Sequence, residues 1–196
     1  MIPALILLLS AVVYRIAGAL LIHSGQALWL SNFAPLAAIA LCGAVYFPPR
    51  FKFTVPLGAL FLSDLFLNYI YGAALVQTEM VSHYVALAIV GVIGVALQNR
   101  ASLKTLLPAS IAGSTIFYLI TNAVSWVSDP NYAKTFAGLI QSLTVGLPQY
   151  SATPTWMFFR NTLLSDLFFT LVFVACMNFR RSPGRARAGA ALPRVA

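Results

Sequence analysis

The chain reads as an all-α integral membrane protein, a polytopic bundle of six transmembrane helices with both termini cytoplasmic. Three observations predict this. Of 196 residues, 60% are apolar and only 8% charged, a composition outside the range of soluble domains. Apolar stretches recur at the length of about 20 residues that a bilayer core demands. Lysine and arginine gather in alternate loops, as the positive-inside rule requires of a chain that crosses repeatedly.

Six spans are expected, at about 2–22, 29–47, 54–72, 82–98, 105–127 and 158–179. The first is not expected to be a secretory leader, because it lacks a basic n-region and Arg15 interrupts its apolar run. The second is crowded with small residues, Ala34, Ala37, Ala38, Ala40, Gly43 and Ala44. Its pairs Ala34/Ala38 and Ala40/Ala44 stand one helical repeat apart and permit close backbone approach. Pro35 in that span leaves a carbonyl near Ser31 without its helical partner, a distortion tolerated where polar groups or water compensate. The third and sixth spans share a pentapeptide taken up below. The fourth and fifth are apolar runs on either side of a short basic loop, Arg100 to Lys104.

Residues 133–147 are apolar but short. If they crossed, the arginine-rich tail would lie outside, against the charge rule. They are expected instead as a re-entrant or interfacial helix within an outer segment, 128–157, punctuated by Pro130, Pro148 and Pro154. A loop of that length serves as a lid over a cavity or as a cap on helix ends. Residues 1–179 therefore form a single transmembrane domain. Residues 180–196, rich in Arg, Ala, Pro and Gly, form a disordered basic cytoplasmic tail that at most touches anionic headgroups.

The net charge of +8 invites a nucleic-acid reading, but its distribution argues otherwise. Arg50 and Lys52 lie between spans two and three, Arg100 and Lys104 between four and five, and Arg180, Arg181, Arg185, Arg187 and Arg194 after six. The expected location is the bacterial inner membrane, with the lipid bilayer as partner and no nucleic acid. Trp29, Trp126 and Trp156 fall at the predicted outer ends of spans, as an interfacial aromatic belt would place them. Cys42 and Cys176 show no metal or disulfide spacing and are expected as buried free thiols.

The pentapeptide Leu-Ser-Asp-Leu-Phe occurs at residues 62–66 and again at 164–168, placing Asp64 and Asp166 inside apolar spans. A carboxylate in hydrocarbon is costly unless paired or hydrated, so each marks either function or helix packing. Arg15, Asp64 and Asp166 each lie about eight residues from the outer end of a span, a common depth of roughly 12 Å. Arg15 is the expected counter-ion to one or both, forming a buried polar layer. The two copies sit in the third span of each half, and the halves run in opposite directions, which suggests an inverted 3+3 repeat.

Above that layer, Asn32, Asn122, Arg160 and Asn161 stand near outer span ends, with His23, Glu79 and His83 around the rim. The expected picture is an outward-open cavity floored by Arg15, Asp64 and Asp166. No enzyme motif competes. Ser63 and Ser165 each precede an aspartate, but adjacent helical residues point in different directions. Neither HExxH nor a nucleotide-binding glycine loop occurs.

The segments SNFAPLAAIALCGAVYF, LFLSDLFLNY, LITNAVSW and FFRNTLLSDLFFT together resemble small bacterial membrane proteins related to the substrate-binding S-components of energy-coupling-factor (ECF) vitamin transporters. Within that neighbourhood the likeness extends to BtuM-type cobalamin transporters, and it covers about residues 28–178. The resemblance implies six helices, a pocket built from outer loops and helix ends, and uptake across the inner membrane with energising transporter subunits as partners. Two features depart from it. Residues 2–22 hold no Ala-x-x-x-Ala docking pair, which leaves solitary action or another docking face open. The cobalt-ligating outer cysteine of the BtuM type is also missing, and only Met80 or His83 stand where they could replace it as metal ligands.

The expected function is membrane transport of a small-molecule substrate, a vitamin with cobalamin as one candidate, and no resident cofactor. Trp126, Tyr132, Tyr150 and Trp156 would supply flat apolar surface, while Asn32, Asn122, Arg160 and Asn161 would orient polar groups. The alternatives are a proton-coupled secondary transporter of another solute and a non-transporting membrane assembly subunit.

Overall fold

The computed structural model describes residues 1–26 and 28–179. Seven α-helices account for most of them, and no strand occurs among the described residues: α1 (Ile2–His23), α2 (Leu36–Tyr46), α3 (Thr54–Ile70), α4 (Glu79–Leu97), α5 (Leu103–Ser128), α6 (Phe136–Leu143) and α7 (Thr155–Phe179). Short 3-10 turns at Leu28–Leu30, Pro49–Phe51 and Gln98–Arg100 tighten the connections. The expected tail, 180–196, lies outside the described residues.

Among the described residues, five helical segments are long and apolar enough to cross a membrane: Ile2–His23, Pro49–Ile70, Glu79–Arg100, Leu103–Ser128 and Thr155–Asn178. The shortest has 22 residues, about 33 Å at helical rise against a hydrocarbon core of about 30 Å. Large apolar side chains such as Val13, Leu62 and Val92 are exposed on their perimeters. Ser110, Ser114, Asp166 and Thr170 are fully buried between them. Apolar outside and polar within is the arrangement a lipid solvent favours.

The segment expected as the second span differs. A helix forms only over Leu36–Tyr46, 11 residues, or about 16 Å, half the thickness of a bilayer core. Pro35 occupies its N-cap and cannot donate the bond that would carry the helix backward. Ahead of it, Asn32 adopts φ 61°, the left-handed conformation that asparagine tolerates better than most residues. The backbone from Leu30 to Leu36 closes through tight turn bonds, Phe33 N to Leu30 O at 2.7 Å and Ala34 N to Asn32 O at 2.8 Å.

This half-length helix is nonetheless the centre of the bundle. Every residue from Ala37 to Val45 is buried, enclosed chiefly by α4, α5 and α7. The small residues allow it. A Cβ on Gly43 would stand 2.2 Å from Pro56 Cγ, and one on Gly94 of α4 would stand 2.5 Å from the Leu41 carbonyl oxygen. Its Ile39 and Leu41 pack in one core with Leu8, Leu60, Leu87 and Phe173.

Helix directions alternate. α1, α3 and α5 bring their C-terminal halves to one end of the bundle, where the non-helical stretch before α2 and the starts of α4 and α7 also meet. Arg50, Lys52 and Arg100 occupy connections at the other end, and Lys104 the first turn of α5 there. There Lys52 is buried and donates to the Gln98 side-chain carbonyl. α6 is a single short helix laid against α5 and α7, capped by Thr135, whose side chain accepts from Gly138 N.

Candidate functional site

The convergence of helix ends encloses a cavity of about 640 Å³, within the range of pockets that take small molecules. Its deepest polar feature is a network joining three helices. Arg15 of α1 donates to the Asp64 carboxylate and to Ser63 Oγ on α3. Tyr84 of α4 donates its hydroxyl to the other Asp64 oxygen at 2.5 Å. The ion-paired side chains are 13% and 18% exposed, and both line the cavity. An unpaired charge at this depth would be expensive, so each partner makes the other tolerable.

The walls are largely aromatic. Phe33, Tyr71, Phe117, Tyr118, Phe158 and Phe159 all face the space. Tyr118 stacks on Phe159 at 4.6 Å between centroids, and His83 lies against Phe117 at 5.5 Å. Asn32, Gln77, Glu79 and Asn122 add polar groups toward the mouth.

Asp166 is placed elsewhere, which corrects the expectation of one shared layer. It is wholly buried, off the cavity wall, and unpaired with Arg15, whose carboxylate partner among the described residues is Asp64. Its carboxylate accepts from Ala38 N at 2.8 Å and from Ser114 Oγ at 2.7 Å, with the Ala37 amide also bonding to it. These amides belong to the first turn of α2, whose own N-cap is a proline without a side-chain acceptor. Asp166 therefore caps the central helix from across the bundle, satisfying orphan donors that lipid could not. One turn further along α7, Thr170 Oγ1 donates to Ser110 Oγ at 3.1 Å. Beside Asp166, Ser165 is fully buried with its hydroxyl unpartnered among the described residues.

The other residues expected at the substrate divide into two groups. Asn32 and Asn122 stand on the cavity wall, as do Met80 and His83. Trp126, Tyr132, Tyr150, Trp156, Arg160 and Asn161 stand off it. Asn161 instead shapes the wall from behind. Its amide donates to the carbonyls of Trp29 and Ser31, both at 2.9 Å, and Thr162 donates to the Asn32 carbonyl at 3.0 Å. Arg160 donates to Asn161 Oδ1 and sits 5.9 Å from the Trp156 ring centroid.

Trp126 and Tyr150 organise the segment leading into α6, in which Tyr132 is buried. Trp126 Nε1 donates to the Ala133 carbonyl at 2.8 Å, and Asn131 donates to the Tyr150 hydroxyl at 3.0 Å. Asp129 anchors the same turn. Accepting the Asn131 amide at 2.8 Å holds its carboxyl below the usual range.

Met80 Sδ accepts weakly from Gln77 N at 3.4 Å, closing the turn into α4. No group of three or more His, Cys, Asp or Glu converges among the described residues. Cys42 is buried as expected, whereas Cys176 is exposed on the outer surface of α7. Its position late in an apolar helix gave no sign of which face it occupies.

Sequence reasoning missed Tyr84, Asn68, Gln77 and the Phe117–Tyr118 pair. The first had one legible signal: a phenol in an apolar helix needs a buried acceptor, and Asp64 is among the few available. A model of the family described as "Family of unknown function (DUF6580)" matches residues 1–186. No curated protein and no solved structure matches the chain.

Proposed function

We propose, for a chain that belongs to DUF6580, a family of unknown function, that it binds a small nutrient in this cavity and takes part in its uptake across the bacterial inner membrane. The observation that carries the reading is the cavity itself. About 640 Å³ of aromatic and amide-lined space sits at one end of a bundle whose helices suit a membrane, over a half-buried ion pair. Irregular backbone at membrane depth occurs where it lines a cavity rather than lipid, and residues 31–34 line this one.

In this reading the stretch before α2 and α2 together make a sixth crossing. Both termini then share the side of Arg50, Lys52, Arg100 and Lys104, the cytoplasmic side by the charge rule. The cavity opens outward. The doubled pentapeptide sits on α3 and α7, which run in opposite directions, as an inverted repeat would have it. α6 lies at the outer rim as an interfacial element.

The relation to ECF S-components belongs to the same reading, with the energising subunits as partners. Within it, a vitamin of one or two rings fits the volume better than cobalamin. A corrinoid with its nucleotide loop would need the rim to open, and the Met80 sulfur is already engaged in a turn. Mass spectrometry of small molecules released from protein purified out of native membranes tests the proposal. A single organic species recovered near stoichiometry, and lost when Asn122 is replaced by leucine, is the expected result. An empty cavity in protein from cells grown on rich medium would count against it.

A further inference from the structure

The chain carries twelve Lys and Arg but only four Asp and Glu. Their distribution around the cavity reverses that balance. Two of the four carboxylates, Asp64 and Glu79, line it, against one cation among the described residues, Arg15. A wall drawn at random from so basic a chain would be positive.

The two carboxylates are not equivalent. Asp64 is neutralised within the protein, one oxygen held by Arg15 and the other by Tyr84. Glu79 is exposed at the mouth, and among the described residues no hydrogen bond or ion pair engages its carboxylate. Its place in the first turn of α4 complements the helix dipole. That accounts for an acid at this position but leaves its charge facing the cavity. One guanidinium against two carboxylates leaves the wall with one uncompensated negative charge. His83, one turn below Glu79 on the same helix face, presents a ring rather than a compensating guanidinium.

The aromatic walls suit the same ligand. Ring faces are electron-rich and attract cations, most strongly where water is thin. An anion has little to gain here. The N-terminus of α2, which would otherwise attract one, is already satisfied by the carboxylate of Asp166. Arg15 is likewise committed to Asp64 and Ser63.

We propose that the cavity selects a compact organic cation, a molecule with an aromatic or apolar body and one protonated amine or quaternary ammonium group that Glu79 receives. The inference rests on the cavity being a small-molecule site.

Three probes with one shared ring and different charge test it: tyramine, the neutral alcohol tyrosol and the anion 4-hydroxyphenylacetate. Each is titrated by microscale thermophoresis into the purified full-length protein and its Glu79→Gln variant in neutral detergent. A carboxylate at contact distance in a partly dry site is worth at least about tenfold in affinity. Tyramine should therefore bind about tenfold more tightly than tyrosol, and 4-hydroxyphenylacetate most weakly. In Glu79→Gln, tyramine should fall to within about threefold of tyrosol. Equal or tighter binding of the anion overturns charge selection, as does an unchanged order in the variant, while either outcome leaves a small-molecule site standing. Failure of all three probes to bind counts against the small-molecule reading itself.

Discussion

Asp64 and Asp166 occupy the same pentapeptide, yet their surroundings give them different work. Asp64 holds two helices together through charge, with Arg15 across from it and Tyr84 on its second oxygen. Asp166 holds a helix end through backbone amides and a serine. The distinction predicts distinct behaviour on substitution. Asp166→Ala strips the acceptor from the first turn of α2 and strands buried donors, a loss of at least about 2 kcal/mol. Asp166→Asn keeps a carbonyl oxygen that Ala38 N can still reach, and should lose clearly less. Thermal unfolding in detergent separates the two. The capping role fails if the alanine variant melts with the wild type, or if the asparagine variant is the worse of the pair. Neither aspartate's partners were equally readable. A depth argument from helical rise brings Arg15 level with both aspartates, because all three are charged side chains that a sequence displays, but it does not choose Asp64 over Asp166. The partner of Asp166 is a backbone amide, which every residue but proline possesses and no sequence marks.

α2 shows how far packing overrides length. Eleven residues cannot span a bilayer, yet they are the most enclosed in the bundle because small side chains let α4 approach closely. At Gly94 that approach is a contact with backbone, the Leu41 carbonyl oxygen 2.5 Å from where a Cβ would be. Backbone cannot rotate aside as a side chain can, so Gly94→Ala should destabilise by about 1–3 kcal/mol through forced separation of α2 and α4. Gly18 on α1 meets nothing within 4 Å, and Gly18→Ala should fall within about 0.5 kcal/mol of wild type. Equal melting of the two variants would remove close packing as the reason α2 can be central. The five long helices were legible to within a few residues, since a run of apolar residues at membrane length has few other meanings. The break at residues 31–35 was legible only in part. Pro35 announced a disturbed carbonyl, but the clamps on that break, Asn161 to the Ser31 carbonyl and Thr162 to that of the left-handed Asn32, come from a helix 130 residues away. Among the candidate substrate residues, Asn32 and Asn122 were found on the wall. Trp126 and Tyr150 instead bond within their own turn-rich segment, and Asn161 holds the carbonyls of Trp29 and Ser31 from behind the wall.

The whole molecule turns on whether the chain crosses five times or six, since parity decides which side each terminus occupies. Five helices qualify by length, which taken alone puts the termini on opposite sides. The proposed sixth crossing rests instead on the path of the chain. α1 and α3 both arrive at the cavity end with their C-terminal halves, so the intervening segment must carry the chain back across the full bundle. The helical part of that return is short because its first half is the irregular wall of the cavity. Single cysteines introduced in a background lacking Cys42 and Cys176 decide the matter. A thiol at Gln77, on the cavity side, should react with an impermeant maleimide in intact cells. One at Arg100 and one at Met1 should react only after the membrane is opened. Six crossings further require that a thiol at Phe179, the last described residue of α7, behave like Arg100. Labelling of Phe179 from outside would mean that α2 does not complete the return. The positive-inside distribution would then have to be explained without a common side for the basic loops, and the cavity could no longer be assigned to the outer face by charge alone.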